Sequence, residues 1–135
     1  MQCSFYDSPH GLMNKSNFSS AEDQAALVNT CMRIPIFRRV VGTVTFETES
    51  IVDSKKKDPT KYVWENTNKL LGKLPGLIGC KTGITNAAGP CFAGYFEDPG
   101  SEIKLALILC HSETMQDRWT EIELMVDWAK KEIAL

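Results

Sequence analysis

The sequence predicts an α+β fold, with a meander of three antiparallel strands covered by an amphipathic helix at the carboxyl end. Three observations predict it. Two apolar runs, Cys91–Phe96 (CFAGYF) and Ile103–Cys110 (IKLALILC), flank the turn sequence Asp98-Pro99-Gly100-Ser101. A third run, Leu77–Thr82 (LIGCKT), precedes them across a turn rich in Gly, Asn and Ala. Beyond the last strand, Trp119, Ile122, Met125, Val126, Ala129 and Ile133 recur at spacings of three and four, which makes one apolar helix stripe.

The elements follow in order. Residues 1–18 are rich in Ser, Pro, Gly and Asn and read as loop. Ser19 or Ser20 is placed to cap a helix whose first turn carries Glu22 and Asp23, charges that suit the positive end of the helix dipole. Ala25, Ala26, Leu27, Val28 and Met32 continue that helix, and Ile34-Pro35 is expected to end it. Val40–Phe46 (VVGTVTF) is β-branched and partly alternating, so it reads as a strand or hairpin arm. Ser50–Lys61 is a polar excursion. Ile103–Cys110 is apolar enough to be buried on both faces. Trp64, Trp119 and Trp128 read as packing residues.

A chain of 135 residues is most simply one domain, here in two parts: a loop and helical part, 1–73, and a strand and terminal-helix part, 74–135. Its 43% apolar and 24% charged residues are those of a soluble globular protein. A net charge of −2 supplies no long-range field for nucleic acid or an anionic membrane. Lys55-Lys56-Lys57, flanked by Asp53 and Asp58, reads as a solvated loop. No apolar run approaches the length of a membrane span, and no basic segment leads into an apolar stretch as in a secretory signal. The five cysteines show neither CxxC nor a Cys/His zinc spacing, so no metal or other cofactor is implied. Three of them (Cys80, Cys91 and Cys110) lie in apolar runs, which suggests reduced core thiols and favours a reducing compartment.

Lys81-Thr82-Gly83 carries the chemistry. Composition alone predicts such a triplet roughly 0.05 times in a chain of this kind, so its surroundings must decide. It lies on a predicted strand, and Gly79 to Gly89 fits G-x-K-T-G-x-T-x-x-A-G. Ser8-Pro9-His10-Gly11-Leu12 is similar to an S-G-L loop with His10 in place of the usual Ser. Phe18-Ser19-Ser20-Ala21-Glu22-Asp23 is similar to a Y-S-T-A-x-D helix start, and Asn66-Thr67-Asn68-Lys69-Leu70-Leu71 to an N-x-N-x-L-L segment. In these pieces, in one register over nearly the whole chain, the sequence resembles the carboxyl-terminal half of the penicillin-binding D-alanyl-D-alanine carboxypeptidases, the S11 group of serine peptidases. The resemblance implies a partial transpeptidase/β-lactamase-like fold with the K-T-G strand as one wall of a substrate site. Lys81 and Thr82 would hold the terminal carboxylate of a peptide ending in D-Ala-D-Ala. Gly83 would let substrate lie close to the backbone, Ile84 N–H would match one oxyanion-hole donor, and Thr85 would close the substrate-binding stretch.

That family's reaction also needs a serine with a lysine one helical turn later, S-x-x-K, and an S-x-N element. Two S-x-x-K matches occur, Ser54 with Lys57 and Ser101 with Lys104, where chance predicts roughly 0.7, so they decide nothing. Neither opens an apolar helix, and no serine is followed two places later by Asn. The expectation is a chain that keeps the K-T-G strand, lacks the nucleophile segment and is inactive alone. Two further readings stand beside it: a structural subunit of a larger assembly, and a module that binds a peptide carboxylate. His111 with Ser112 and Glu113 reads as strand-end polar residues leading into the last helix rather than a triad. Cys110 and His111, adjacent on a strand, point to opposite faces. In the family Ile103–Cys110 would lie inside a five-stranded sheet. Alone it would be a long apolar edge, so another protein chain is expected to cover it.

Overall fold

The computed structural model of the chain describes residues 1–12, 15–50 and 59–133. After an amino-terminal loop come helices α1 (Ala21–Cys31) and α2 (Pro35–Val41) and the hairpin β1 (Thr45–Glu49) and β2 (Lys61–Glu65). Strands β3 (Leu77–Thr85), β4 (Gly89–Glu97) and β5 (Lys104–Leu109) and helix α3 (Asp117–Ile133) complete it. The three later strands form an antiparallel sheet in the order β3-β4-β5, and β1-β2 is a separate two-stranded sheet.

Alternation along the sheet decides the layers. Phe92 and Phe96 of β4 and Leu105, Leu107 and Leu109 of β5 face α3, where they meet Trp119, Ile122 and Val126. Phe92 packs edge-on against Trp119, with ring centroids 6.1 Å apart and an interplanar angle of 83°. Ala93 and Tyr95 of β4 and Ala106 and Ile108 of β5 face the other way, onto Val28 and Met32 and onto Phe37 and Val41 of α2. The sheet is therefore sandwiched, with α3 on one side and α1 and α2 on the other.

Several expectations hold in detail. Ser20 caps α1, its hydroxyl accepting from Asp23 N at 3.1 Å. The α3 stripe buries Trp119, Ile122, Val126 and Ala129, although Ile133 stays exposed. No helix among the described residues is long and apolar enough to cross a membrane.

Others need correction. Helix α1 does end before Ile34-Pro35, but Pro35 opens α2 as its first residue, a position that needs no backbone N–H. Val40 and Val41 are consequently helical rather than strand, and only Thr45 onward is extended. Gly42 makes the exit, since a Cβ there would sit 3.1 Å from the carbonyl oxygens of both Arg38 and Ile78. Lys61 begins strand β2 instead of ending a polar loop. The triple-lysine run and Ser54 lie outside the described residues. Strand β5 has helices on both faces but is less buried than expected: Leu107 alone is fully buried and Lys104 is exposed, because no further strand covers its outer edge among the described residues. Of the three supposed core thiols only Cys80 is buried. Of the tryptophans only Trp119 packs in the core, at 5% exposure against 53% for Trp64 and 64% for Trp128.

One ion pair ties the layers together. Arg38 of α2 donates two hydrogen bonds to Glu97 at the end of β4, at 2.9 and 2.5 Å, and Lys104 adds a second cation at 3.7 Å. Bonding to Arg38, then the charges of Arg38 and Lys104, hold the Glu97 carboxyl below its ordinary value near 4.5. A carboxylate depressed in this way contributes stability in full above its unfolded pKa and loses it as pH falls through the folded one. Between about pH 5 and 3 the native chain should therefore lose stability more steeply than Glu97→Gln, as measured by urea unfolding. Parallel pH profiles would contradict the clamp.

Candidate functional site

The K-T-G triplet sits on β3 at the edge of the three-stranded sheet, with β4 on one side and no strand on the other among the described residues. Lys81 pairs with Ala93, Thr82 with Phe92, Gly83 with Cys91 and Ile84 with Pro90. Lys81, Gly83 and Ile84 are exposed, and Thr82 is buried. A Cβ on Gly83 would meet nothing within 4 Å among the described residues, which leave the space above it open. The Lys81 ammonium donates to the carbonyl of Thr82 and so lies back along its own strand.

The segment before β3 fixes Thr82. Asn66 Nδ2 donates to the carbonyls of Val41 and Thr43 at 3.2 and 3.0 Å, which fastens the segment to the end of α2. Asn66 Oδ1 accepts from Asn68 N, and Asn68 Oδ1 accepts from Leu70 N, turning the chain so that Leu70 and Leu71 enter the core. Between the two asparagines Thr67 is held with its hydroxyl 2.7 Å from the Thr82 hydroxyl. When Thr67 donates, the proton of Thr82 is free for an incoming acceptor.

A second cation lies beneath. Arg118, in the first turn of α3 and only 3% exposed, donates from Nη1 to the carbonyls of Gly83 and Cys91 at 3.3 and 3.2 Å. Its guanidinium lies 4.2 Å from the Trp119 ring centroid, and its Nε has no partner among the described residues. Burial lowers its pKa from the ordinary value, and a guanidinium keeps its charge through such a shift. With Lys81 in front and Arg118 behind, this edge favours an anion.

At its far end β3 turns tightly. Thr85 Oγ1 accepts from Ala88 N at 3.0 Å, and Gly89 takes a φ of +64°. His111, itself at φ 61°, closes against this turn with Nδ1 3.1 Å from the carbonyl oxygen of Ala88. A cleft of about 770 Å³ adjoins Thr85, Ala87 and Ala88 and is walled by Tyr6, Leu12 and Phe18. Asp23 holds the amino-terminal loop there, accepting from Gln2 N, Cys3 N and Ser4 Oγ at 3.0, 2.8 and 2.6 Å. In the S-G-L-like stretch, His10 Nδ1 accepts from Leu12 N at 3.0 Å.

The other sequence candidates do not assemble. Ser101 donates to Asp98 at 2.8 Å and Lys104 pairs with Glu97, both at the Leu77 end of the sheet and away from Gly83. Ser112 donates to Glu121 rather than to His111, and Thr114, not His111, caps α3 by accepting from Gln116 N and Asp117 N. Thr67 and Arg118 join the site without any role assigned to them from sequence. A cation in the first turn of a helix, where the dipole disfavours it, was the available signal for Arg118.

The chain superposes on a mutant of the Streptomyces K15 DD-transpeptidase with a TM-score of 0.84 and 25% identity, over 98% of this chain and 48% of that one. A cefotaxime-bound penicillin-binding protein of Listeria monocytogenes gives 0.73 and 28%, over 92% and 47%. The fold is thus about half of a DD-peptidase domain of the penicillin-binding class. The model of the D-alanyl-D-alanine carboxypeptidase family matches residues 1–109, and the chain belongs to that family. The carboxypeptidase DacF of Bacillus subtilis is 25% identical over 92% of this chain and 30% of its own length. The D-alanyl-D-alanine carboxypeptidase of Streptomyces strain K15 is 34% identical over 64% and 29%. The chain spans about a third of the length of these curated relatives and about half of the solved structures.

Replacing Arg118 by Leu leaves two carbonyls without their donor, at a cost of about 1–3 kcal/mol in urea unfolding. A loss below about 0.5 kcal/mol, the ordinary range of a surface change, would show that the buried guanidinium does not support the strand.

Proposed function

We propose that this chain is the carboxylate-holding part of a D-alanyl-D-alanine carboxypeptidase, able to grip a peptide ending in D-Ala-D-Ala and unable to acylate by itself. Residues 1–135 form a single partial domain in this reading. The Lys81 ammonium swings from its own strand to the peptide carboxylate, and the Thr82 hydroxyl, set by Thr67, donates to the same group. Gly83 leaves room for the peptide backbone, Ile84 N–H offers one oxyanion contact, and Thr85 bounds the stretch before the turn. The observation that carries the reading is the pairing of an open, exposed Gly83 edge with cations before and behind it. No S-x-x-K pair stands beside that edge among the described residues, which supports recognition without acylation.

A second reading, a non-catalytic subunit of a larger assembly, is favoured by β5. Both its faces are covered by helices, while its outer edge has no partner strand among the described residues. In this reading another protein chain covers Ile103–Cys110 by adding a strand.

Lys81→Ala should weaken binding of an acyl-D-Ala-D-Ala peptide by about 1.5–3 kcal/mol, the range for a charge-assisted hydrogen bond, in isothermal titration. Lys104→Ala, which alters only the far end of the sheet, should leave it unchanged. Equal effects at the two lysines, or no binding by the native chain, would remove the carboxylate reading.

A further inference from the structure

Strands β4 and β5 pair with Phe92 opposite Leu109 and Ala93 opposite Ile108. Extended one step past Phe92 and Leu109, the last observed pair, the register sets Cys91 opposite Cys110, the residue that follows β5. Directly opposed residues of an antiparallel ladder have Cα atoms about 4.5–5.5 Å apart, inside the span that a disulfide bridges. Alternation sends both side chains to one face, the face that carries Ala93, Tyr95, Ala106 and Ile108. Beyond this pair the ladder turns irregular: Ser112 N donates to the Pro90 carbonyl at 2.9 Å, and His111 takes its positive φ. The two cysteines thus lie directly beyond the last regular cross-strand pair, Phe92 and Leu109, where the sheet ends.

Both thiols are free, Cys91 half-buried and Cys110 exposed. The Cys91 thiol donates to the Ala88 carbonyl at 3.4 Å, a weak contact that rotation about its Cα–Cβ bond releases. Burial first, and then the nearness of Cys91, raises the pKa of Cys110, which places the two sulfurs within electrostatic reach. Cys80 offers no comparable chemistry. It is buried, its Sγ lies 3.6 Å from the Met32 sulfur, and burial pushes its thiol up to about 11, so its thiolate is scarce.

We propose that Cys91 and Cys110 form a reversible cross-strand disulfide that staples the edge strand β5 to β4 directly behind the K-T-G glycine. The bridge lies one strand away from the site, because Cys91 pairs with Gly83 and the carbonyls of both accept from Arg118. The oxidant is a small-molecule disulfide such as glutathione disulfide. The exposed Cys110 loses its proton to water, and its thiolate attacks one glutathione sulfur, releasing the other glutathione as thiolate. The Cys91 thiolate then attacks the Cys110 sulfur of this mixed disulfide and releases the second glutathione. Two protein thiols are oxidised and one glutathione disulfide is reduced to two glutathiones. The inference rests on strand register and on the nearness of the two thiols, and is independent of the carboxylate reading above.

The test is a tryptic map of the native 135-residue chain after incubation with glutathione disulfide. Cys91 and Cys110 fall in different tryptic peptides, and the proposal expects these to appear cross-linked, lighter by two hydrogens and separated again by dithiothreitol. The oxidised chain should melt at a higher temperature than the reduced one, and Cys91→Ser or Cys110→Ser should abolish that difference while Cys31→Ser preserves it. The map of the unmutated chain stands even if a variant fails to fold. A stable glutathione adduct on Cys110 with Cys91 still free, or a bridge that forms only in denaturant, would overturn the proposal.

Discussion

The three-stranded sheet and its main helical packing are organised around the two faces of β4. Phe92 and Phe96 are almost wholly buried against α3, and Ala93 and Tyr95 turn toward α1 and α2. Truncating a buried phenylalanine costs about 3–5 kcal/mol, a large share of the 5–15 kcal/mol typical of a whole domain. Strand β3 takes its register from this central strand through eight paired positions, and β5 through six. Packing on β4 therefore decides where Lys81, Thr82 and Gly83 stand, although none of the three belongs to the main core cluster.

A sheet covered on both faces has only its edges left for recognition, and the two edges here differ in chemistry. The β3 edge carries an exposed lysine and an open glycine, with a threonine hydroxyl and a buried guanidinium in support. The β5 edge is a run of leucine, isoleucine and alanine with one lysine. The first suits a small anion whose groups can be matched one by one. The second suits another polypeptide backbone, which brings its own row of donors and acceptors. The cross-strand cysteines join these edges through β4, at the end where His111 closes against the turn after the K-T-G stretch.

Much of this was legible from the residues. Alternation in CFAGYF and the stripe beginning at Trp119 report a burial pattern directly, so β4, β5 and α3 could be placed from sequence. The family pieces gave the position of the K-T-G edge. What failed depended on partners distant in sequence. Val40 and Val41 have β-forming side chains, yet a proline at the start of α2 and packing against β3 made them helical. Cys91 and Cys110 looked like core residues because their neighbours are apolar, but they lie where the sheet runs out. Trp64 looked like core and instead stacks on Phe46 and Tyr62 on an exposed hairpin. Thr67 and Arg118 could not be tied to Thr82 and Gly83 by any local pattern, since each acts across a fold that pairs residues 15 and 35 positions apart.

The proposed function gives this chain the grip of a DD-peptidase without its nucleophile. Intact-mass measurement of the native chain after incubation with a penicillin tests it most directly, because acylation of a serine is permanent enough to weigh. The account predicts an unmodified mass. A stoichiometric adduct mapped to any serine of the 135 residues would contradict it.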